Sequence, residues 1–372
     1  STDQKSSLEI VGLDASGIPL SSGSITFLTS ADPVAYPILY RSVPLPLPLG
    51  KEARKIALKI ADLSKVGPPK VLLKGKTGCF NCHAVSSDGK WLGLEVNTNP
   101  DDAASYAVAA VARETVFSRK EIFNWNEDIS KKINSVATLS SFSPDGKYVA
   151  SIVNERRFYV FYPESRDISF IFQPFQGLLA YREIGATQTR ILPGADKLDV
   201  VHICPDWSPD GKTIAYSRAY TKPQLVARYS SKETEVNLLE NSISWRKAQG
   251  EFGYKLDIYQ IPFNGGKGGK PVPLKGASNN GMSNYFPKYS PDGRWIVFTQ
   301  SKAGFALLPD SDLYIIPREG GIARKLKSSG NNMDSWHSWS PNGRWLAFAS
   351  KSFNGYTDMV LTHINDKGED SP

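Results

Sequence analysis

The chain has 372 residues, 40% hydrophobic and 22% charged, which supplies ample material for a core and is unlike a disordered chain. Its net charge of +7 is spread without any block of five or six like charges. No nucleic-acid groove is therefore expected, and attraction to acidic protein surfaces is the better match. The longest uncharged apolar run, around Val43 to Leu49, is short and holds three prolines, so no membrane span is expected. Ser1 is not a start methionine and no charged-then-apolar leader follows it, which suits a processed mature chain.

In chain order, Gly23 to Thr29, Ile38 to Val43 and Ile56 to Leu63 read as strands, with Pro44, Pro46 and Pro48 as an extended linker. The motif Cys79-Phe80-Asn81-Cys82-His83 comes next and leads into the first of five related turns. These are Ser86-Ser87-Asp88-Gly89-Lys90, Ser143-Pro144-Asp145-Gly146-Lys147, Ser208-Pro209-Asp210-Gly211-Lys212, Ser290-Pro291-Asp292-Gly293-Arg294 and Ser340-Pro341-Asn342-Gly343-Arg344. Pro presets the first turn dihedral, Asp or Asn tolerates the next, and Gly supplies positive φ. An alternating apolar stretch such as Trp295-Ile296-Val297-Phe298 follows each copy, so every copy marks a strand, a tight turn and a second strand.

The equivalent serines recur at intervals of 50 to 82 residues, and a four-stranded propeller blade takes about 40 to 50. Each interval thus holds one blade plus loops, and Lys255 to Ile261 and Asp312 to Ile316 read as further strands of such blades. The polar stretch 221–250 reads as a long surface insertion, and 366–372 as a flexible tail. The N-terminal strands supply a sixth blade, and the interval from Ser143 to Ser208 leaves room for part of a seventh. The expectation is an all-β fold in which residues 1–372 form one six-bladed β-propeller, with helical periodicity weak throughout.

At these turns the sequence resembles the TolB-type, WD40-like β-propellers, from about the first turn copy to the C-terminus. Within that group it is most similar to extracytoplasmic members that combine a Cys-x-x-Cys-His copy with a closing Ser-Trp-His-Ser-Trp-Ser segment, here Ser335 to Ser340. The architecture is also similar to propeller subunits of multihaem complexes such as hydrazine synthase. Propellers host unrelated activities, so the resemblance implies fold more strongly than function.

Cys79-x-x-Cys82-His83 has the spacing for covalent haem c, in which two thiols meet the two vinyl groups and the adjacent histidine reaches the iron. A Cys79–Cys82 disulfide, unmodified thiols and an incomplete metal site are the other readings, since no second Cys-x-x-Cys completes a zinc tetrahedron. Aligning the turns places His83 and His337 at the same position, three before the turn serine, where the other copies have Ser140, Pro205 and Pro287. That slot lies near one mouth of the central channel, which makes His83 the proximal candidate for haem iron and His337 the distal one. His337 between Trp336 and Trp339 is equally read as a packing residue. Met282 and Met333 are rival axial ligands, and tyrosine ligation stays open.

Cys204, four before its turn serine like Cys82, reads as a buried thiol, and His202 and His363 as structural or surface residues. There is no Gly-x-Ser-x-Gly elbow, no His-Glu-x-x-His and no Walker loop. The run from Gly265 to Lys270 is a flexible turn, and Asp145, Asp210 and Asp292 are turn formers before they are acid–base candidates.

Two functions follow. One is a periplasmic or extracellular propeller carrying one haem c, with no catalytic residues, passing electrons to a redox partner protein or within a multisubunit complex. The other is a haem-free propeller serving as scaffold or docking subunit of such a complex.

Overall fold

The computed structural model describes residues 5–34, 36–44, 55–74, 82–96, 104–127, 129, 137–161, 170–229, 243–244, 247, 250, 253, 255–304, 309–354 and 356–371. All five turn copies close with the same bonds. Each serine hydroxyl donates to the Asp or Asn two residues on at 2.6 Å. It accepts from the backbone N–H five residues on at 2.8 to 3.0 Å. The turn glycines Gly89, Gly146, Gly211, Gly293 and Gly343 all have φ between 65° and 71°, which a side chain would strain. Around the ring each turn lies against the one before it. A Cβ on Gly211 would stand 3.5 Å from Pro144, and one on Gly343 would stand 3.4 Å from Pro291.

The strands around these turns form six sheets, and the chain is a six-bladed β-propeller. Blade 1 holds β3 (Ile38–Ser42), β4 (Ala57–Ala61) and β5 (Lys70–Lys74). Blade 2 holds β6 (Ala84–Val85), β7 (Trp91–Glu95), β8 (Ser105–Ala110) and β9 (Ile122–Asn124). Blade 3 holds β10 (Ser141–Phe142), β11 (Tyr148–Phe161), β12 (Phe170–Glu183) and β13 (Thr189–Ile191). Blade 4 is β14 (Val200–Trp207), β15 (Thr213–Tyr220), β17 (Asp257–Pro262) and β18 (Val272–Pro273). Blade 5 is β19 (Ser283–Tyr289), β20 (Trp295–Ser301), β21 (Asp312–Pro317) and β22 (Arg324–Lys325), and blade 6 is β23 (Asp334–Trp339), β24 (Trp345–Ser350) and β25 (Asp358–His363).

Apolar residues on facing sheets fill the junctions. Tyr106 and Val108 meet Phe142, Val149 and Val153 between blades 2 and 3. Leu179 and Tyr181 meet Trp207, Ile214 and Phe263 between blades 3 and 4. The next two junctions are filled in the same way, around Ile296 and Phe298 and then around Leu346 and Phe348. Among the described residues no such cluster spans the junctions on either side of blade 1. Polar bonds join it instead. Asn342 donates to the Pro33 carbonyl at 3.1 Å, Asp32 pairs with His363 at 2.7 Å and Arg344 at 3.8 Å, and His83 bonds Leu39 at 3.1 Å.

Three segments differ from the sequence expectation. Gly23 to Thr29, expected in a blade, falls largely within β2 (Pro19–Leu28), which among the described residues pairs only with β1 (Lys5–Leu13), in a separate two-stranded sheet. The third strand of blade 1 is β5. The stretch 221–250 is described in part, and it reaches the interior. Its helix α1 (Pro223–Tyr229) buries Leu225 and Tyr229 against Phe158 and Phe175 of the long β11–β12 hairpin. Its short strand β16 (Ile243–Ser244) pairs parallel to β11. Residues 366–371 fold back on blade 6, where the Ser371 N–H bonds the His363 carbonyl and Asp366 pairs with Arg294 and Arg344.

Two outcomes are expected. Ser290→Ala removes the bonds of a buried turn hydroxyl to Asp292 and Trp295 and lowers stability by about 1 to 2 kcal/mol, read by denaturant unfolding. Amide exchange in β4 is expected to be faster than in β20, because among the described residues no apolar cluster spans either junction of blade 1.

Candidate functional site at the inner-strand bulges

The residue four before each turn serine is left-handed in all five copies: Cys82 (φ 43°), Leu139 (63°), Cys204 (59°), Phe286 (55°) and Trp336 (52°). None is glycine, so the surrounding bonds hold a conformation that side chains disfavour. The ladders slip at the same place, between Ile203 and Asp206, Tyr285 and Lys288, and Ser335 and Ser338. These three inner strands therefore carry a β-bulge, which redirects the residue that follows it.

The residue after the left-handed one is His83 in blade 2 and His337 in blade 6. His83 Nε2 lies 3.1 Å from the Leu39 carbonyl of blade 1, and His337 Nε2 lies 3.0 Å from the Val297 carbonyl of blade 5. A carbonyl only accepts, so Nε2 carries the proton in both rings. Burial pushes His337 down to about 4 and also lowers His83, which keeps both imidazoles neutral near pH 7.

The remaining histidines act alike. His202 Nδ1 bonds the Gly177 carbonyl at 2.8 Å, joining blade 4 to blade 3, and burial lowers it to about 4. His363 bonds Asp32. All four histidines of the chain bridge separate segments of the ring.

Of the sequence-nominated cysteines, Cys79 lies outside the described residues. Cys82 is half-buried, and its thiol bonds Glu95 at the end of β7. Cys204 is buried at the equivalent place in blade 4, which pushes its thiol up. Met282 and Met333 directly precede β19 and β23. Asp145, Asp210 and Asp292 are bound within their own turns. Gly266 and Gly268 form a turn packed on Tyr181 and Pro193. Among the described residues no group of three or more His, Cys, Asp or Glu side chains is placed to hold a metal ion. As arranged, His83 and His337 face different junctions with Nε2 engaged, which does not fit one haem iron held between them.

Sequence reasoning missed Glu95. It occupies a position held by Ile152, Ser217, Thr299 and Ala349 in the other turn copies, and that lone carboxylate was the available signal. Glu95 is almost wholly buried and accepts from Leu139 N–H at 3.1 Å. Burial pushes its carboxyl up to about 8, and the nearby Glu155 charge adds to the rise. Glu155 is itself buried and accepts from Ala137 N–H at 3.1 Å. A single strap, residues 137–139, thus clamps both carboxyls.

No family model matches the chain, and no curated protein matches it. Among solved structures, a protein assigned as TolB from Agrobacterium tumefaciens is similar over 86% of this chain and 84% of its own, with 18% identity and TM-score 0.48. Kuenenia stuttgartiensis hydrazine synthase is similar over 84% and 71%, with 14% identity and TM-score 0.44. The periplasmic gluconolactonase PpgL of Pseudomonas aeruginosa is similar over 89% and 80%, with 13% identity and TM-score 0.47. Likeness at this level leaves function to the residues themselves.

Glu95 yields a pH prediction. Its carboxyl takes up a proton more readily in the fold than in the unfolded chain, whose ordinary value is 4.5. The stability it contributes is complete below 4.5 and is lost as pH rises through about 8. Unfolding midpoints should fall across that window, and Glu95→Gln should flatten the fall.

Proposed function

We propose that this chain is an extracytoplasmic β-propeller serving as a rigid scaffold or docking subunit of a larger, multisubunit assembly. One observation carries the reading: among the described residues, the histidines that could ligate a metal are engaged in holding sheets together. Both repeat-position imidazoles bond carbonyls of neighbouring blades, and the Cys82 thiol bonds Glu95. What remains for function is a ring of loops on a stiff support, which suits docking. Among the described residues no helix is long and apolar enough to cross a membrane.

A second reading, haem c attached at Cys79 and Cys82 for electron transfer to a redox partner, is favoured by the placement of Cys82 and His83. Both are half-buried, whereas Cys204 and His337 are buried. In this reading His83 leaves the Leu39 carbonyl to present Nε2 as proximal ligand, and His337 leaves Val297 to serve as distal ligand. Bound haem would supply one-electron chemistry.

Natively purified protein distinguishes the two. Colourless protein with the mass of the bare polypeptide, recovered in an assembly larger than the chain, is the expected result. A Soret band together with a haem-stained band that survives denaturing electrophoresis would overturn the scaffold reading. In that case His337→Ala should convert a low-spin spectrum to high-spin, and an unchanged spectrum would remove His337 from the iron.

A further inference from the structure

The five turns differ at one informative atom. In blades 2 to 5 the third turn residue is Asp88, Asp145, Asp210 or Asp292, whereas in blade 6 it is Asn342. One oxygen does the same local work in all five. It accepts from the serine hydroxyl and also from the backbone N–H two residues on, the latter at 3.0 to 3.1 Å. The second atom is what varies. Asp88 Oδ2 takes Lys90 Nζ at 2.9 Å, Asp292 Oδ2 takes Arg294 Nε at 2.6 Å, and Asp210 Oδ2 lies 3.5 Å from Arg318, just after β21 of the following blade. Asn342 instead donates from Nδ2 to the Pro33 carbonyl, ahead of β3, at 3.1 Å. Its neighbours fix the amide orientation. The Arg344 N–H only donates, so the atom facing it is Oδ1 and the atom facing Pro33 is the nitrogen.

We propose that Asn342 is the latch of the ring, an amide placed where the other turns carry a carboxylate so that blade 6 holds blade 1. Two contacts depend on that exchange of an oxygen for an NH2 group. The first is the bond to Pro33, since a carboxylate there would set two acceptor oxygens against each other. The second runs through Arg344. In blade 5 the Asp292 carboxylate captures Arg294 Nε inside the turn. Arg344 holds the equivalent place beside an amide, and its Nε faces Asp32 at 3.8 Å while Nη1 binds Asp366 at 2.8 Å. An aspartate at 342 would draw that Nε inward, and of its partners on blade 6 Asp32 would keep only His363.

The effect is confined to one junction. Among the described residues no apolar cluster spans either side of blade 1, so no buried area compensates when polar bonds there are lost. Releasing the latch therefore frees blade 1 as a unit, while blades 2 to 6 keep their packed junctions. A ring latched in this way parts first at blade 1, whichever function it serves.

Amide exchange of the full chain, read by mass spectrometry, tests the latch. Asn342→Asp restores the residue of the other four turns, so the turn should stay closed, with the Arg344 and Trp345 N–H groups protected as in wild type. Exchange in β3, β4 and β5 is expected to rise about tenfold, the equivalent of one hydrogen bond, with β14 and β20 unchanged. Asp292→Asn, the reverse exchange in blade 5, should leave β3 to β5 at the wild-type rate. Wild-type exchange of β3 to β5 in Asn342→Asp would overturn the proposal. So would faster exchange spread evenly over all six blades, or an equal loosening of blade 1 by Asp292→Asn.

Discussion

A ring of sheets holds only if its last junction closes, and here that junction is polar. The other blades meet across buried apolar side chains, whose contribution scales with area and tolerates small shifts. Blade 1 is joined through Asp32, Pro33 and Leu39, bonded to His363, Arg344, Asn342 and His83. Hydrogen bonds are directional, so this closure fixes the angle at which the first sheet meets its neighbours. The cost of losing one partner is that of a desolvated group left unpaired.

The inner-strand bulge is the device that makes such joints available. A regular strand would alternate its side chains between the two faces of its own blade. The left-handed residue at Cys82, Cys204, Phe286 and Trp336 breaks that alternation and swings the following side chain toward the preceding blade. Where that side chain is histidine, it becomes a cross-blade donor. Where it is proline, as at Pro205 and Pro287, other groups cross the junction, and Asp206 binds Lys288 and the Tyr289 N–H. The low basicity of His202 and His337 follows from the same placement, since the junction excludes water and a charged imidazole with it.

Much of the fold was legible because turn chemistry is local. Ser-Pro-Asp-Gly needs only its own residues to close, so five copies announced five blades and their inner hairpins. The sixth blade was only partly legible: β3 and β4 lay in expected strands, but β2 did not join them. Nothing in the alternation of β2 distinguishes a strand covered by a neighbouring sheet from one left in the open. Helix α1 was missed because its seven residues depend on packing against Phe158 and Phe175 rather than on helical periodicity.

The sequence by itself determined the turns and the equivalence of His83 with His337 and of Cys82 with Cys204. These are matters of spacing, and spacing survives without coordinates. Only the tertiary structure decided what the equivalent residues face. Position along a strand does not say whether an imidazole meets a channel, a cofactor or a neighbouring carbonyl. The twist between blades and the bulges in the inner strands set that direction, and they point His83 and His337 at two different junctions.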